Sequence, residues 1–110
     1  MMASVVDAAL AALPPPPGAV EVIGRGRLAT ALRTHLQSRC AVPGQRAIAV
    51  IETTGDPRAI QDALRRVADL GTVVLAGPAT GEPVALDLYA DLHVRGLTLI
   101  GTSSAPEDAP

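Results

Sequence analysis

Runs of β-branched and aliphatic residues alternate along this chain with segments of helical periodicity, and this alternation limits the possible folds more than any other feature. Short apolar runs bounded by glycine, proline or charged residues predict buried strands. Strands that alternate with helices pair in parallel and are joined by right-handed crossovers. The sequence therefore predicts an α/β fold of about four parallel strands, at residues 19–23, 47–55, 72–76 and 97–102.

The segments outside the predicted strands carry helix signals. Ser4 is a suitable cap for a helix over residues 4–13, and the prolines at 14–17 end this helix and form a stiff spacer. Asp56 and Pro57 are an N-cap and first-turn pair for another helix. Its apolar spacing predicts an inward face of Ile60, Ala63, Leu64, Val67 and Leu70, and further helices are predicted over 28–36 and 86–94.

The length of 110 residues suits one domain and is too short for two. We expect one truncated domain over residues 1–103 and a flexible tail over residues 104–110. Cys40 is the sole cysteine of the sequence, which excludes an internal disulfide, and no apolar stretch approaches the length needed to span a bilayer. These features predict a cytoplasmic protein without a membrane partner.

Charge and composition argue against a nucleic-acid partner. The formal net charge is -2, and the 9 basic residues, all arginine, are scattered along the chain. Because only 1% of the residues are aromatic, few side chains could stack on bases. The expected partners are a small molecule or another protein.

The turn after the first predicted strand contains Gly24, Arg25, Gly26 and Arg27. The N–H groups at the start of the following helix, together with the positive end of its dipole, attract anions. We therefore predict that this turn binds a phosphate or a carboxylate. In the alternative interpretation, the glycines only permit a tight turn and the arginines are solvated.

Ligands of parallel sheets bind beyond the carboxyl ends of the strands. The predicted ligand-binding residues at those ends are Thr53, Gly77 and Thr102. The candidate catalytic residues there are Glu52, Thr54 and Asp56. Glu52 follows an apolar run, and burial there would suit its carboxyl group to general acid or base catalysis. Alternatively, this carboxylate pairs with an arginine of the glycine turn.

Three segments together resemble the nucleotide-binding domain of zinc-type, medium-chain alcohol dehydrogenases. Residues 51–78 (IETTGDPRAIQDALRRVADLGTVVLAGP) and 83–101 (PVALDLYADLHVRGLTLIG) resemble its second half. Residues 14–32 (PPPPGAVEVIGRGRLATAL) resemble its first strand and glycine turn. The combination is more specific than the glycine pattern alone. The resemblance implies a Rossmann-like fold, which in its full form binds a dinucleotide.

The sequence departs from that family where the second and third strands belong. The family carries an acidic residue about 20 residues beyond the glycines that binds the ribose, whereas residues 36–51 (LQSRCAVPGQRAIAVI) contain no Asp or Glu. We therefore expect a reduced Rossmann-like fold that lacks these two strands.

No metal site is expected, because the family's zinc-binding catalytic domain has no counterpart in this sequence. His35, Cys40 and His93 have no spacing typical of metal ligands. His35 is expected to pack on the inward face of its helix, and His93 to lie at the surface. Cys40 is expected to be a buried or idle thiol rather than a nucleophile.

Loss of two strands would leave the first strand at a hydrophobic, unprotected sheet edge. Right-handed crossovers then predict that three helices share one face, with the N-terminal helix alone on the other. A poorly covered apolar face favours self-association. The run LTLIGT at 97–102 also resembles the strand through which family members dimerise, so we expect a homodimer.

Three functions fit these expectations. The first is a dimeric Rossmann-like module that binds a small anionic metabolite or a partner, without dehydrogenase activity of its own and with no cofactor. The second is a small non-redox enzyme of a biosynthetic pathway, such as an isomerase, cyclase or hydrolase, that uses the former cofactor crevice. The third is an NAD(P)-dependent oxidoreductase completed by a separate catalytic subunit.

Overall fold

The apolar runs form a four-stranded parallel sheet in the order β1-β2-β3-β4. The computed structural model describes residues 2–78 and 80–102, and the flexible tail expected over 104–110 lies outside them. The elements are α1 (Met2–Ala11), β1 (Val20–Ile23), α2 (Arg27–Leu36), β2 (Ala49–Glu52), α3 (Pro57–Arg66), β3 (Thr72–Leu75) and β4 (Thr98–Gly101). A 3-10 turn (Gln37–Arg39) follows α2, and a π-helical segment (Leu88–His93) precedes β4. The predicted α/β class and the four parallel strands are confirmed.

Several helix bounds differ from the sequence prediction: α1 spans Met2–Ala11 rather than residues 4–13, and the helix predicted over 86–94 is the π-helical segment Leu88–His93. Helix α1 begins at Met2, so Ser4 lies inside the helix rather than at its cap. Helix α3 begins after Asp56, whose side chain accepts a hydrogen bond from the Arg58 N–H as predicted, but it ends at Arg66. Leu70 therefore lies beyond the helix, with φ 64° and 83% exposure, and does not pack inward. Among the described residues, no helix is long and apolar enough to cross a membrane.

The helices cover both faces of the sheet. Because successive strand residues point to opposite faces, Val22 and Ile51 pack against α1 and α2, whereas Val50 and Val73 pack against α3 and the π-helical segment. The expectation that the crossover helices share one face is therefore wrong. The crossovers from β1 to β2 and from β2 to β3 each move the chain one strand in the same direction across the sheet. Because α2 and α3 lie on opposite faces, one crossover is right-handed and the other is left-handed.

The segment after α2 explains this arrangement. Cys40 forms a parallel bridge with Val20, and the Ala41 N–H donates to the Val20 carbonyl at 2.8 Å. Since β2 occupies the other side of β1, this contact lies on the outer edge, where a second strand stands in a full Rossmann-like sheet. The loop from Ala41 to Arg46 then carries the chain to Ile48, whose N–H donates to the Ala19 carbonyl at 2.9 Å. One bridge residue thus replaces two strands.

The outer edge of β1 is protected, contrary to the sequence prediction. The carbonyls of Val20, Val22 and Gly24 point to this edge, because those of the alternate residues bond toward β2. Val20 is bonded to Ala41, and the Arg33 guanidinium donates to Val22 at 2.9 Å and to Gly24 at 2.8 Å. Three consecutive edge carbonyls are therefore satisfied without a neighbouring strand.

Candidate functional site

The carboxyl ends of β1, β2 and β3 converge at three of the predicted ligand-binding residues. A Cβ atom added to Gly24 would lie 2.0 Å from the Thr53 hydroxyl oxygen, and one added to Gly77 would lie 2.5 Å from the Thr53 backbone carbonyl. Both separations are far below van der Waals contact. Gly24 and Gly77 are therefore required for the close approach of these strand ends.

Thr53 connects β1 to β2 at this point. Its hydroxyl is buried and donates to the Ile23 carbonyl at 2.7 Å, and its N–H donates to the same carbonyl at 3.1 Å. The hydroxyl proton is thus used inside the protein. Thr53 positions the glycine turn rather than presenting a donor to a ligand.

The turn from Gly24 to Arg27 places an uncapped helix end at the surface. Gly26 is the N-cap of α2, has φ 96°, and supplies no side-chain hydrogen bond to the helix. A Cβ atom there would meet nothing within 4 Å, and Gly26 is exposed. Arg25 and Arg27 are exposed and take no part in the ion pairs of the described residues, which involve Arg66 and Arg95.

This geometry suits an anion. The first N–H groups of an α-helix have no partner within the helix, and they carry the positive end of its dipole. With no side-chain acceptor at Gly26, these donors are available to an external acceptor. The two arginines on either side add positive charge and donors of fixed planar geometry.

Glu52 is 1% exposed, and its carboxylate is held by its own turn. One oxygen accepts hydrogen bonds from the Thr54 N–H at 2.8 Å and from the Thr54 hydroxyl, and the other accepts from the Gly55 N–H at 2.8 Å. Neither Arg25 nor Arg27 pairs with it, so that alternative is wrong. Three donors compensate for the loss of water around this buried carboxylate.

The other two catalytic candidates belong to the same turn. The Thr54 hydroxyl oxygen accepts from the Asp56 N–H at 3.0 Å, and Asp56 caps α3 through the Arg58 N–H at 3.2 Å. Glu52, Thr54 and Asp56 are thus brought together as predicted. Their hydrogen bonds are directed to the backbone and to one another.

A cavity of about 360 Å³ lies beside this turn, on the face of the sheet that carries α3. Ile60, Leu75 and Val84 supply apolar lining, and its charged residues are Glu52 and Glu82. Two carboxylates make this cavity a poor site for an anion. The anion-compatible turn at Gly24 and the cavity beside Glu52 are therefore chemically distinct.

Thr102 is not part of either group. Its hydroxyl donates to the Leu75 carbonyl at 3.1 Å after the end of β4. Strand β4 is three positions from β1, which corresponds to about 14 Å at the usual strand spacing. A ligand small enough to fit the glycine turn would not contact Thr102.

The histidines and the cysteine do not form a site. His93 is exposed and its ring stacks on Tyr89 with centroids 5.0 Å apart. His35 is also exposed, contrary to expectation, because the buried face of α2 is centred on Leu32 and Leu36. Cys40 is half-buried. Within the described ranges, no group of three potential metal ligands occurs.

Sequence reasoning missed the arginines that bind carbonyl groups. Besides Arg33, Arg39 donates to the Gly18 and Pro14 carbonyls, and Arg95 binds the carbonyls of Leu64 and Val67 near the end of α3. The sequence contains no lysine, so every long basic side chain is a guanidinium able to bind two carbonyls. The absence of lysine was therefore the one sequence feature that could have predicted these hydrogen bonds to carbonyl groups.

Several solved structures share this fold. S. aureus TarJ in complex with NADPH matches with a TM-score of 0.75 over 92% of this chain at 17% identity. A zinc-binding dehydrogenase from Sinorhizobium meliloti 1021, bound to NADP, matches with a TM-score of 0.72 over 92% of the chain at 16% identity. Benzyl alcohol dehydrogenase from Acinetobacter calcoaceticus matches with a TM-score of 0.66 over 96% of the chain at 17% identity.

The chain spans less than half of these proteins, 43% of TarJ and 42% of each of the other two. At such low identity the likeness establishes the fold. The resemblance to medium-chain dehydrogenases is thus confirmed as a shared Rossmann-like fold in a reduced form. No protein-family model matches the sequence, and no curated protein matches it.

Proposed function

We propose that this chain is a dimeric Rossmann-like module that binds a small anion at the turn from Gly24 to Arg27 and does not dehydrogenate alcohols by itself. The observation that carries the proposal is the open amino end of α2, where Gly26 provides no side-chain cap. Phosphates and carboxylates bind at such helix ends without further specialised groups.

The surroundings of the turn favour binding of a small anion. The contact between Gly24 and Thr53 fixes the turn against β2, and Arg33 holds the Gly24 carbonyl from the other side. A turn held in this way loses little conformational entropy when a ligand binds. Arg25 and Arg27 remain exposed beside it.

Binding of a whole dinucleotide is expected to be weak. No acidic residue in 36–51 replaces the ribose-binding carboxylate of the full fold, and within the described ranges the bridge at Cys40 is the single β-pairing on the outer side of β1. Loss of hydrogen bonds to a charged group costs about 1.5–3 kcal/mol, or about tenfold to a hundredfold in affinity. Phosphate, in contrast, requires only the turn.

The dimer is proposed to form through β4. On its outer side no strand of the described ranges pairs with it, and its two terminal residues, Thr98 and Gly101, are exposed. Leu88 and Tyr89 of the preceding π-helical segment are 65% and 68% exposed. An open strand edge beside exposed apolar side chains favours pairing with a second copy.

The two enzymatic alternatives have unequal support. A non-redox enzyme built on Glu52 is disfavoured, because both oxygens of that carboxylate already accept hydrogen bonds from the turn. An oxidoreductase completed by a separate catalytic subunit is favoured by the NADPH and NADP bound to two similar structures. It remains the second candidate.

Calorimetry with inorganic phosphate and with NADPH tests the proposal. We expect phosphate to bind and NADPH to bind more weakly than micromolar. Arg25→Ala and Arg27→Ala should each weaken phosphate binding, whereas Arg65→Ala, an exposed arginine at the far end of α3, should not. Submicromolar binding of NADPH would contradict the proposal and support the oxidoreductase. Phosphate binding that is equal in all variants would also contradict it.

A further inference from the structure

A second concave site lies along the outer edge of β1, and its lining does not include residues 24–27 of the glycine turn. Its floor is Val20, Glu21 and Val22, and one wall is the loop from Cys40 to Arg46. The groove has a volume of about 630 Å³. This volume falls within the range of small-molecule sites, about 300–1,000 Å³. It occupies the place where a full Rossmann-like sheet continues with further strands.

Three arginines from three different elements line this groove. Arg33 comes from α2 on one face of the sheet, Arg66 from α3 on the other, and Arg46 from the loop. The carboxylate in the lining is that of Glu21, so three positive groups against one negative leave a formal charge of +2. The whole chain has a formal charge of -2, so positive charge is concentrated here.

The three guanidinium groups differ in the ion pairs and hydrogen bonds that they already form within the protein. Arg66 pairs with Glu21 and with Asp62, so its charge is balanced within the protein. One amino group of Arg33 holds the Val22 and Gly24 carbonyls, which leaves its other donors and its charge. Arg46 is exposed and takes no part in the ion pairs of the described residues. Arg33 and Arg46 therefore supply the excess charge.

We propose that this groove binds a small dianion, a dicarboxylate or a phosphate monoester, between Arg46 and Arg33. Two guanidinium groups with free donors match two negative charges, and guanidinium binds both carboxylate and phosphate through paired hydrogen bonds. The site goes beyond the proposed function, because it lies on the edge of β1 rather than at the amino end of α2.

A small anion fits the groove better than an added peptide strand. Strand addition depends on main-chain hydrogen bonds along an open sheet edge. Here the Val20 carbonyl is bonded to Ala41, and the carbonyls of Val22 and Gly24 are bonded to Arg33. An incoming strand would have to displace these bonds, whereas a dianion uses donors that remain.

Nuclear magnetic resonance titration of the whole chain with succinate and with inorganic phosphate tests this site. We expect succinate to shift the amide signals of residues 41, 42 and 44–46. Arg46→Gln should weaken succinate binding about tenfold, as expected for loss of one charge-assisted hydrogen bond. Arg58→Gln, an exposed arginine at the opposite end of α3 from Arg66, is the matched control and should leave the affinity unchanged.

Three outcomes would overturn the proposal. The first is a set of shifts confined to residues 24–29, which would assign all anion binding to the glycine turn. The second is an affinity for succinate that Arg46→Gln does not change. The third is binding of an acidic peptide but not of succinate or phosphate, which would identify an extended chain as the occupant.

Discussion

Glu52 holds together the turn between β2 and α3, because its carboxylate accepts hydrogen bonds from the N–H groups of Thr54 and Gly55. Its place after an apolar run predicted a buried carboxylate at the end of β2, and it is 1% exposed. The sequence could not show where its oxygens point, because Thr54 and Gly55 reach them only in this turn conformation, in which Gly55 has φ 72°. The spacing of Glu52, Thr54 and Asp56 was thus enough to predict that they lie together. Their hydrogen-bond partners could be identified only from the structure.

Replacement of Glu52 by glutamine tests this contribution of the carboxylate. The amide retains one acceptor oxygen but turns an NH2 group toward backbone donors, and hydrogen bonds to a charged group contribute about 1.5–3 kcal/mol each. We expect Glu52→Gln to lower the free energy of unfolding by about 2 kcal/mol or more, measured by urea denaturation. Glu82→Gln, at an exposed position, is the control. Equal stability of the two variants would mean that the carboxylate is not needed for the turn.

The outer edge of β1 is covered by residues that lie far from it in the sequence. Local signals sufficed to predict the strands and the Asp56 cap, since each depends on neighbouring residues. The face occupied by α2 depends instead on a single bridge between Cys40 and Val20, which no local pattern marks. The role of Arg33 could not be predicted for the same reason, because Arg33 reaches the Val22 and Gly24 carbonyls only when α2 lies beside the outer edge of β1.

Loss of the Arg33 guanidinium should therefore open this edge. Arg33→Met keeps the length and helix propensity of the side chain but leaves the Val22 and Gly24 carbonyls without the donor they have now. We expect the free energy of unfolding to fall by about 1–3 kcal/mol. Aggregation, followed by light scattering, should increase because an open edge accepts other chains. Arg65→Met, on an exposed position of α3, should change neither property.

The whole molecule has its most exposed strand at the opposite side of the sheet. The Thr98 N–H donates to the Gly71 carbonyl, so alternation directs the N–H groups of Leu99 and Gly101 outward. In the proposed homodimer these outward groups bond to the second copy. The fold and the absence of two strands were predictable from the sequence, because the family-like segments cover most of the chain. Which edge of the sheet is covered and which is open depends on long-range contacts, which the sequence pattern does not reveal.

Gly101→Pro tests the dimer without burying a charge. Proline removes one outward N–H and is tolerated on edge strands, so the sheet should persist. We expect the wild-type chain to sediment at twice its 11.2 kDa mass and the variant to sediment as a monomer with an unchanged circular dichroism spectrum. Gly101→Ala, which keeps the N–H, should remain dimeric. A wild-type monomer at micromolar concentration would contradict the proposal.

The order β1-β2-β3-β4 bears on how the chain acquires its structure during synthesis. Each strand pairs with the strand before it, through Val20 with Ala49, Ala49 with Thr72, and Thr72 with Thr98. In a complete doubly wound sheet of order 3-2-1-4-5-6, the first strand also pairs with the fourth, which is synthesised much later. Short sequence separation between partners favours rapid folding. The nascent chain can therefore extend its sheet one strand at a time as it leaves the ribosome, with β4 added last.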